Sequence, residues 1–200
     1  MIPYPKKERR NLKMNIEQIQ KRLKETLSEK RYNHSLEVMK RCGELAEIYG
    51  VDVEKAKLVG LAHDIAKELS EEDALRIIEE NNIKLDEIEM QNHGLWHAKI
   101  GAVICKNELG FTQNMVQAVE NHTTAKPGMD LLSQILFVAD CTGLDRDWED
   151  LHYARKLSEK DLSATIIYII DLNISQKLRT GKQLHPNSIF VRNDLIARLK

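Results

Sequence analysis

Val59-Gly60-Leu61-Ala62-His63-Asp64-Ile65-Ala66-Lys67 is the stretch on which the reading of this chain turns. Together with Ala56 and Leu58 it puts apolar residues nearly all round a helix expected from about Val53 to Glu68. A helix of that kind is central and buried. An imidazole and a carboxylate inside it cost on the order of several kcal/mol unless their charge is compensated. A divalent cation supplies that compensation, and both groups are good ligands for one. A core or capping pair is the plainer reading, and the dipeptide alone does not decide. Lys67 lies three residues after Asp64 and four after His63, so it is expected on their face of the helix. There it either meets a substrate phosphate or simply pairs with Asp64.

Outward from this segment the apolar spacing stays helical and never alternates as a strand would. One helix is expected from Ile16 to Ser28, with Ile16, Ile19, Leu23 and Leu27 on one side. Another runs from about Tyr32 to Tyr49 and is closed by Gly50. Ser70-Glu71-Glu72-Asp73 reads as a helix start. Further helices are expected near 72–81, 94–109, 113–122, 131–142, 147–156, 159–179 and 188–199. The fold class is therefore all-α, a helical bundle in a single domain covering residues 14–200. Residues 1–13 carry two prolines and six Lys, Arg or Glu residues, and are expected to be a disordered tail.

Composition narrows the function. The chain has 200 residues, 42% apolar and 30% charged, with a formal net charge of -1. There is no basic excess of the kind a duplex nucleic-acid binder needs, so no nucleic-acid partner is expected. No apolar run is long enough to span a bilayer. Cys42, Cys105 and Cys141 are odd in number and widely spaced, which fits free thiols in a reducing cytoplasm. The apolar run Ile166–Ile170 is either core or a homodimer seam, with core the favoured reading.

Other candidates lie on other expected helices. His34 follows Arg31 by three residues near the start of its helix, so the two face the same way. His93 and His97 stand four apart, a spacing able to clamp a metal, and His97 is preferred because Gly94 and the polar run before it put His93 at or before the helix start. His122 ends an amphipathic segment and is followed by Thr123 and Thr124. Asp140 ends a mostly apolar run that begins at Leu131, and Arg146 follows six residues later. Each has an ordinary alternative as a surface histidine, helix terminus or cap. As an ensemble, they are distributed as a bundle distributes metal ligands over facing helices. No Cys-x-x-Cys motif, glycine-rich phosphate loop, Gly-x-Ser-x-Gly elbow or His-Glu-x-x-His signature competes. His152 and His185 lack such a setting and are read as surface residues.

In the order His34, His63-Asp64, Asp140, these residues resemble the HD superfamily of metal-dependent phosphohydrolases, and the added His97 and His122 resemble its two-metal members. Arg31-Tyr32-x-His34-Ser35-Leu36, Gly60 to Lys67, Leu95-Trp96-His97, Asn121-His122-Thr123-Thr124 and Ala139-Asp140 are most similar to the YqeK-type symmetrical bis(5′-nucleosyl)-tetraphosphatases. The resemblance implies an HD-domain helical bundle. It implies one metal held by His34, His63, Asp64 and Asp140, and a second shared through Asp64 and held also by His97 and His122. It implies cleavage of diadenosine tetraphosphate to two ADP by a hydroxide bound to both metals, with Asp64 and Lys67 catalytic and Arg31, Lys67, Thr123 and Arg146 on the phosphates. The expected cofactors are two divalent ions, iron foremost, with manganese or zinc as alternatives. The expected partner is a small dinucleoside polyphosphate, and the expected location the cytoplasm. The alternatives are an HD phosphohydrolase acting on nucleoside mono-, di- or triphosphates and a non-catalytic nucleotide-binding HD protein. One departure stands out. The family continues Ala-Asp with an aromatic residue, an acid and a proline before its arginine. Here the run is Ala139-Asp140-Cys141-Thr142-Gly143-Leu144-Asp145-Arg146. The aspartate and arginine are kept, while the acid and proline are read as lost. This bears on substrate preference or on one pocket wall.

Overall fold

Eleven α-helices, with no strand, make up the computed structural model, which describes residues 14–198. The expected tail, residues 1–13, lies outside the described residues, as do residues 199–200. The helices are α1 (Ile16–Thr26), α2 (Glu29–Tyr49), α3 (Val53–Ala62), α4 (Glu71–Glu80), α5 (Glu87–Met90), α6 (Trp96–Ile104), α7 (Gln113–Asn121), α8 (Leu131–Thr142), α9 (Leu151–Ser158), α10 (Leu162–Arg179) and α11 (Pro186–Arg198). No described helix is long and apolar enough to cross a membrane.

Local chemistry sets most of the boundaries. Asn15 and Gln18 form a capping box at α1, and Asp86 and Glu89 form one at α5. Ser70 accepts from the Asp73 amide, as its sequence suggested. Gly50, at φ 68°, turns the chain out of α2 in the left-handed region that glycine enters without penalty.

Two expected helices differ most from expectation. The central helix ends at Ala62 instead of Glu68. Beyond it the backbone tightens into three-residue turns, in which the Ile65 amide donates to the Ala62 carbonyl and the Lys67 amide to the Asp64 carbonyl. His63 and Asp64 therefore lie at the end of α3 and not within it. The expected helix 94–109 is three pieces: a 3₁₀ turn at His93–Leu95, α6, and a π-helical turn at Cys105–Leu109 closed by Gly110. The helix α5 was not foreseen.

The core is centred where α2, α3 and α8 meet, with α7 and α10 packed on α8. Val38, Leu45, Leu61, Ile135, Leu136 and Ile166 are fully enclosed there. Ile166, Ile169 and Ile170 are all buried, so this apolar run is core. The seam between α2 and α3 is close. A Cβ added at Gly60 would sit 2.9 Å from the Met39 Cα, the Val38 carbonyl oxygen and the Cys42 Sγ. Glu68 reaches back across the same region and accepts from both the amide (2.6 Å) and the hydroxyl (2.7 Å) of Ser28. It thereby pins the start of α2, and with it Arg31 and His34, to the segment that carries Asp64. The free thiols are buried at Cys42 and Cys105 and half-buried at Cys141, with no disulfide.

Candidate metal centre

Five elements deliver one side chain or one pair each to a common point: His34 from α2, His63 and Asp64 from the end of α3, His97 from the first turn of α6, His122 from the end of α7, and Asp140 from the last turns of α8. Four imidazoles and the Asp64 carboxylate are buried there. The rings form an edge-to-face chain, His34–His63–His122–His97, with centroids 5.2, 5.1 and 5.0 Å apart.

Asp64 stands between two pairs of rings. Its Oδ1 lies 3.2 Å from His97 Nε2 and 3.7 Å from His122 Nε2. Its Oδ2 lies 3.4 Å from His63 Nε2 and 3.9 Å from His34 Nε2. Asp140 Oδ1 approaches His34 Nε2 at 3.1 Å and His63 Nε2 at 3.8 Å.

The outward nitrogen of every ring is already engaged. His63 Nδ1 donates to the Gly60 carbonyl (2.8 Å), His97 Nδ1 to Gly94 (2.8 Å) and His122 Nδ1 to Val119 (2.7 Å). His34 Nδ1 donates to the Asp145 carboxylate (2.7 Å). In the neutral rings these bonds fix the tautomer, so all four Nε2 lone pairs point inward at the two carboxylates. His63 Nε2 is fully enclosed and has no hydrogen-bond partner. Acceptors facing acceptors in a buried space favour a cation between them. This donor set, all nitrogen and oxygen, fits divalent metal ions.

The electrostatics agree. Burial disfavours charge on Asp64, but His63, His122 and His97 hold its carboxyl well below the usual range. Burial of Asp140 is likewise outweighed by His34, His63 and Arg146, and its carboxyl is also lowered. Burial pushes His97 down to about 4, against the opposing pull of Asp64. At His63, burial is overcome by Asp64 and Asp140, which raise its pKa.

The rim is cationic. Arg31 Nη1 donates to Asp64 Oδ2 at 2.7 Å. Arg146 donates from Nη2 to Asp140 Oδ1 and from Nε to the Asp140 carbonyl. Lys67 Nζ sits 3.3 and 3.4 Å from the two nitrogens of His97, and burial lowers its pKa. Thr123 Oγ1 is 3.3 Å from His97 Nε2 and 3.2 Å from His122 Nε2. Every residue that the family resemblance assigned to the site thus lies in or around one cluster.

Other residues are placed differently. His93 is exposed, stacked on Trp96 and away from the cluster, and His152 is also exposed. His185 corrects its expected surface position: it is only 7% exposed and pairs with Asp86 at 2.8 Å, because the loop before α11 folds down over α5. Asp145 is a site residue that sequence reasoning passed over. Its one signal is its place immediately before Arg146.

The HD domain profile matches residues 31–172, a span that contains all six side chains of the cluster. The chain belongs to the HD domain family. It is 31% identical over 185 residues to the symmetrical bis(5′-nucleosyl)-tetraphosphatase of Bacillus subtilis, covering 92% of this chain and 99% of the relative. It is 30% identical to the enzyme of the same name from Halalkalibacterium halodurans, covering 89% and 95%. Among solved structures, a predicted HD superfamily hydrolase involved in NAD metabolism from Clostridium acetobutylicum superposes with a TM-score of 0.89 at 35% identity, covering 92% of this chain and 98% of that one. The family resemblance read from the motifs is borne out.

Proposed function

We propose that this phosphohydrolase cleaves diadenosine tetraphosphate symmetrically, with water, to two molecules of ADP. The observation that carries the reading is Asp64, whose two oxygens face separate pairs of inward imidazole nitrogens. The relatives named for the same activity, aligned over nearly the whole chain, give the substrate class.

In this reading His34, His63, Asp64 and Asp140 would hold one divalent ion, and Asp64, His97 and His122 would hold another. Iron is the first choice and manganese or zinc the alternatives, as the nitrogen and oxygen donors allow. Two such ions neutralise phosphoryl oxygens and make an attacking water acidic near neutral pH. The protein's own contribution is the frame. Asp64 holds both halves in register. Lys67 and Arg31 neutralise phosphate oxygens on the α3 side of the cluster, and Arg146 does so on the α8 side. Thr123 offers a hydroxyl to the same chain of phosphates. In this reading the attacking group is water. Attack at an inner phosphorus breaks the central phosphoanhydride bond. One ADP leaves and the other carries the new oxygen.

The test is turnover of diadenosine tetraphosphate by protein reconstituted with manganous or ferrous ion, with the products separated by chromatography. ADP as the sole product is expected. AMP plus ATP would overturn symmetrical cleavage. No turnover by metal-loaded protein would favour a non-catalytic nucleotide-binding role.

A further inference from the structure

Of the four rings in the cluster, three are oriented by their own backbone and one is not. His63 and His122 follow the ends of α3 and α7, and His97 opens α6, and each ring bonds through Nδ1 to the carbonyl three residues back. His34 lies inside α2, where the carbonyls are taken by the helix's own ladder. Its Nδ1 instead meets Asp145, 111 residues away, at 2.7 Å.

We propose that Asp145 is a positioning residue for the metal centre, orienting the His34 ring from behind. The proposal rests on the metal reading above. Three further observations support it. First, residues Gly143 to Arg146 form a turn closed by the Arg146 amide donating to the Gly143 carbonyl (3.1 Å), which aims Asp145 at α2 and Arg146 at Asp140. Second, a Cβ on Gly143 would lie 2.7 Å from Asp145 Oδ1. The glycine therefore leaves space beside the carboxylate, and a side chain at 143 forces Asp145 Oδ1 to shift. Third, the turn is braced. Trp148 Nε1 donates to the Cys141 carbonyl at 2.9 Å, and Arg155 donates from Nε to the Thr142 carbonyl at 2.8 Å and from Nη2 to the Gly143 carbonyl. These are carbonyls that the end of α8 leaves without helical partners. With its Nδ1–H held by Asp145, His34 presents its Nε2 lone pair to the space it shares with His63 and Asp140. It also accepts there from Arg146 Nη2 at 3.2 Å. A carboxylate behind a metal-binding imidazole fixes its orientation and strengthens it as a ligand.

The test uses the full chain and two readouts. The first is equilibrium binding of manganous ion alone. The second is the tautomer of His34 in metal-free protein, from nitrogen–proton correlation spectra of histidine-labelled samples. D145A is expected to weaken one of two manganese sites by about 10- to 100-fold, the usual cost of losing such a partner. It is also expected to release His34 from its single Nδ1–H form. D145N, which keeps a carbonyl oxygen, falls between D145A and wild type. Should D145A fail to fold, G143A carries the test, because the backbone there (φ -55°) accepts alanine while its methyl displaces the carboxylate. G143A is expected to shift both readouts in the direction of D145A. Two-site binding at wild-type affinity with an unchanged His34 tautomer overturns the role of Asp145 and leaves the metal centre standing. Wild-type protein that binds no manganese, ferrous or zinc ion overturns the metal reading itself.

Discussion

The two halves of the cluster are built by different means. On one side His97 and His122 meet Asp64 Oδ1, each ring held by the backbone carbonyl three residues before it. On the other side His34 and His63 meet Asp140, and here His34 depends on a loop carboxylate while Asp140 depends on Arg146. The first half is specified locally, by where helices start and stop. The second depends on contacts spanning more than a hundred residues of chain. A half of the first kind survives changes elsewhere in the fold, whereas one of the second kind changes whenever its loop does.

Removing the group common to both halves should be most damaging. D64A should abolish measurable turnover, a loss well beyond about 100-fold and so beyond that of an outer hydrogen bond, and should leave neither half able to bind manganese tightly; turnover within tenfold of wild type would break the shared-carboxylate reading. H34A and H97A each remove one half. Each should cost about 100-fold or more in turnover and leave close to one bound ion per chain by elemental analysis, and two ions in either variant would show that the halves are not separate sites. G60A acts beneath both, at the seam that sets α2 against α3. It should lower stability by about 1–3 kcal/mol, seen as a drop in melting temperature, because its Cβ meets backbone that cannot move aside. The rim should matter least per residue. R146A and K67A are each expected to lower kcat/KM by about tenfold, or about 1.4 kcal/mol. A larger loss of metal in R146A than in K67A would sharpen the contrast, because Arg146 touches a ligand carboxylate of the loop-dependent half.

Sequence legibility follows the same division. The helices with long apolar faces and side-chain caps, α1, α2, α4 and α8, lie within a few residues of their expected places, because their signals are local. The candidates His34, His63, Asp64, His97, His122 and Asp140 stood out as polar groups in apolar helical settings, and they lie together. The early end of α3 was hidden, because apolar periodicity continues through Ile65 and Ala66 while the backbone has already tightened. The burial of His185 and the bond from Asp145 to His34 were hidden for a different reason. Each joins elements about a hundred residues apart, and nothing in the neighbouring sequence reports such a contact. That a carboxylate after Asp140 reaches the His34 imidazole is visible only in the turn geometry, which carries Asp145 to it.

The brace around residues 143–146 has an evolutionary corollary. Trp148 and Arg155 grip only main-chain oxygens, and Leu144 at the tip is 64% exposed. The main-chain path of the turn is thus held independently of the side chains within it, by the two gripping residues. Orthologues that drift in this stretch are expected to retain an indole and a guanidinium downstream while trading the identity of the acid, so that ligand strength is tuned by a four-residue cassette.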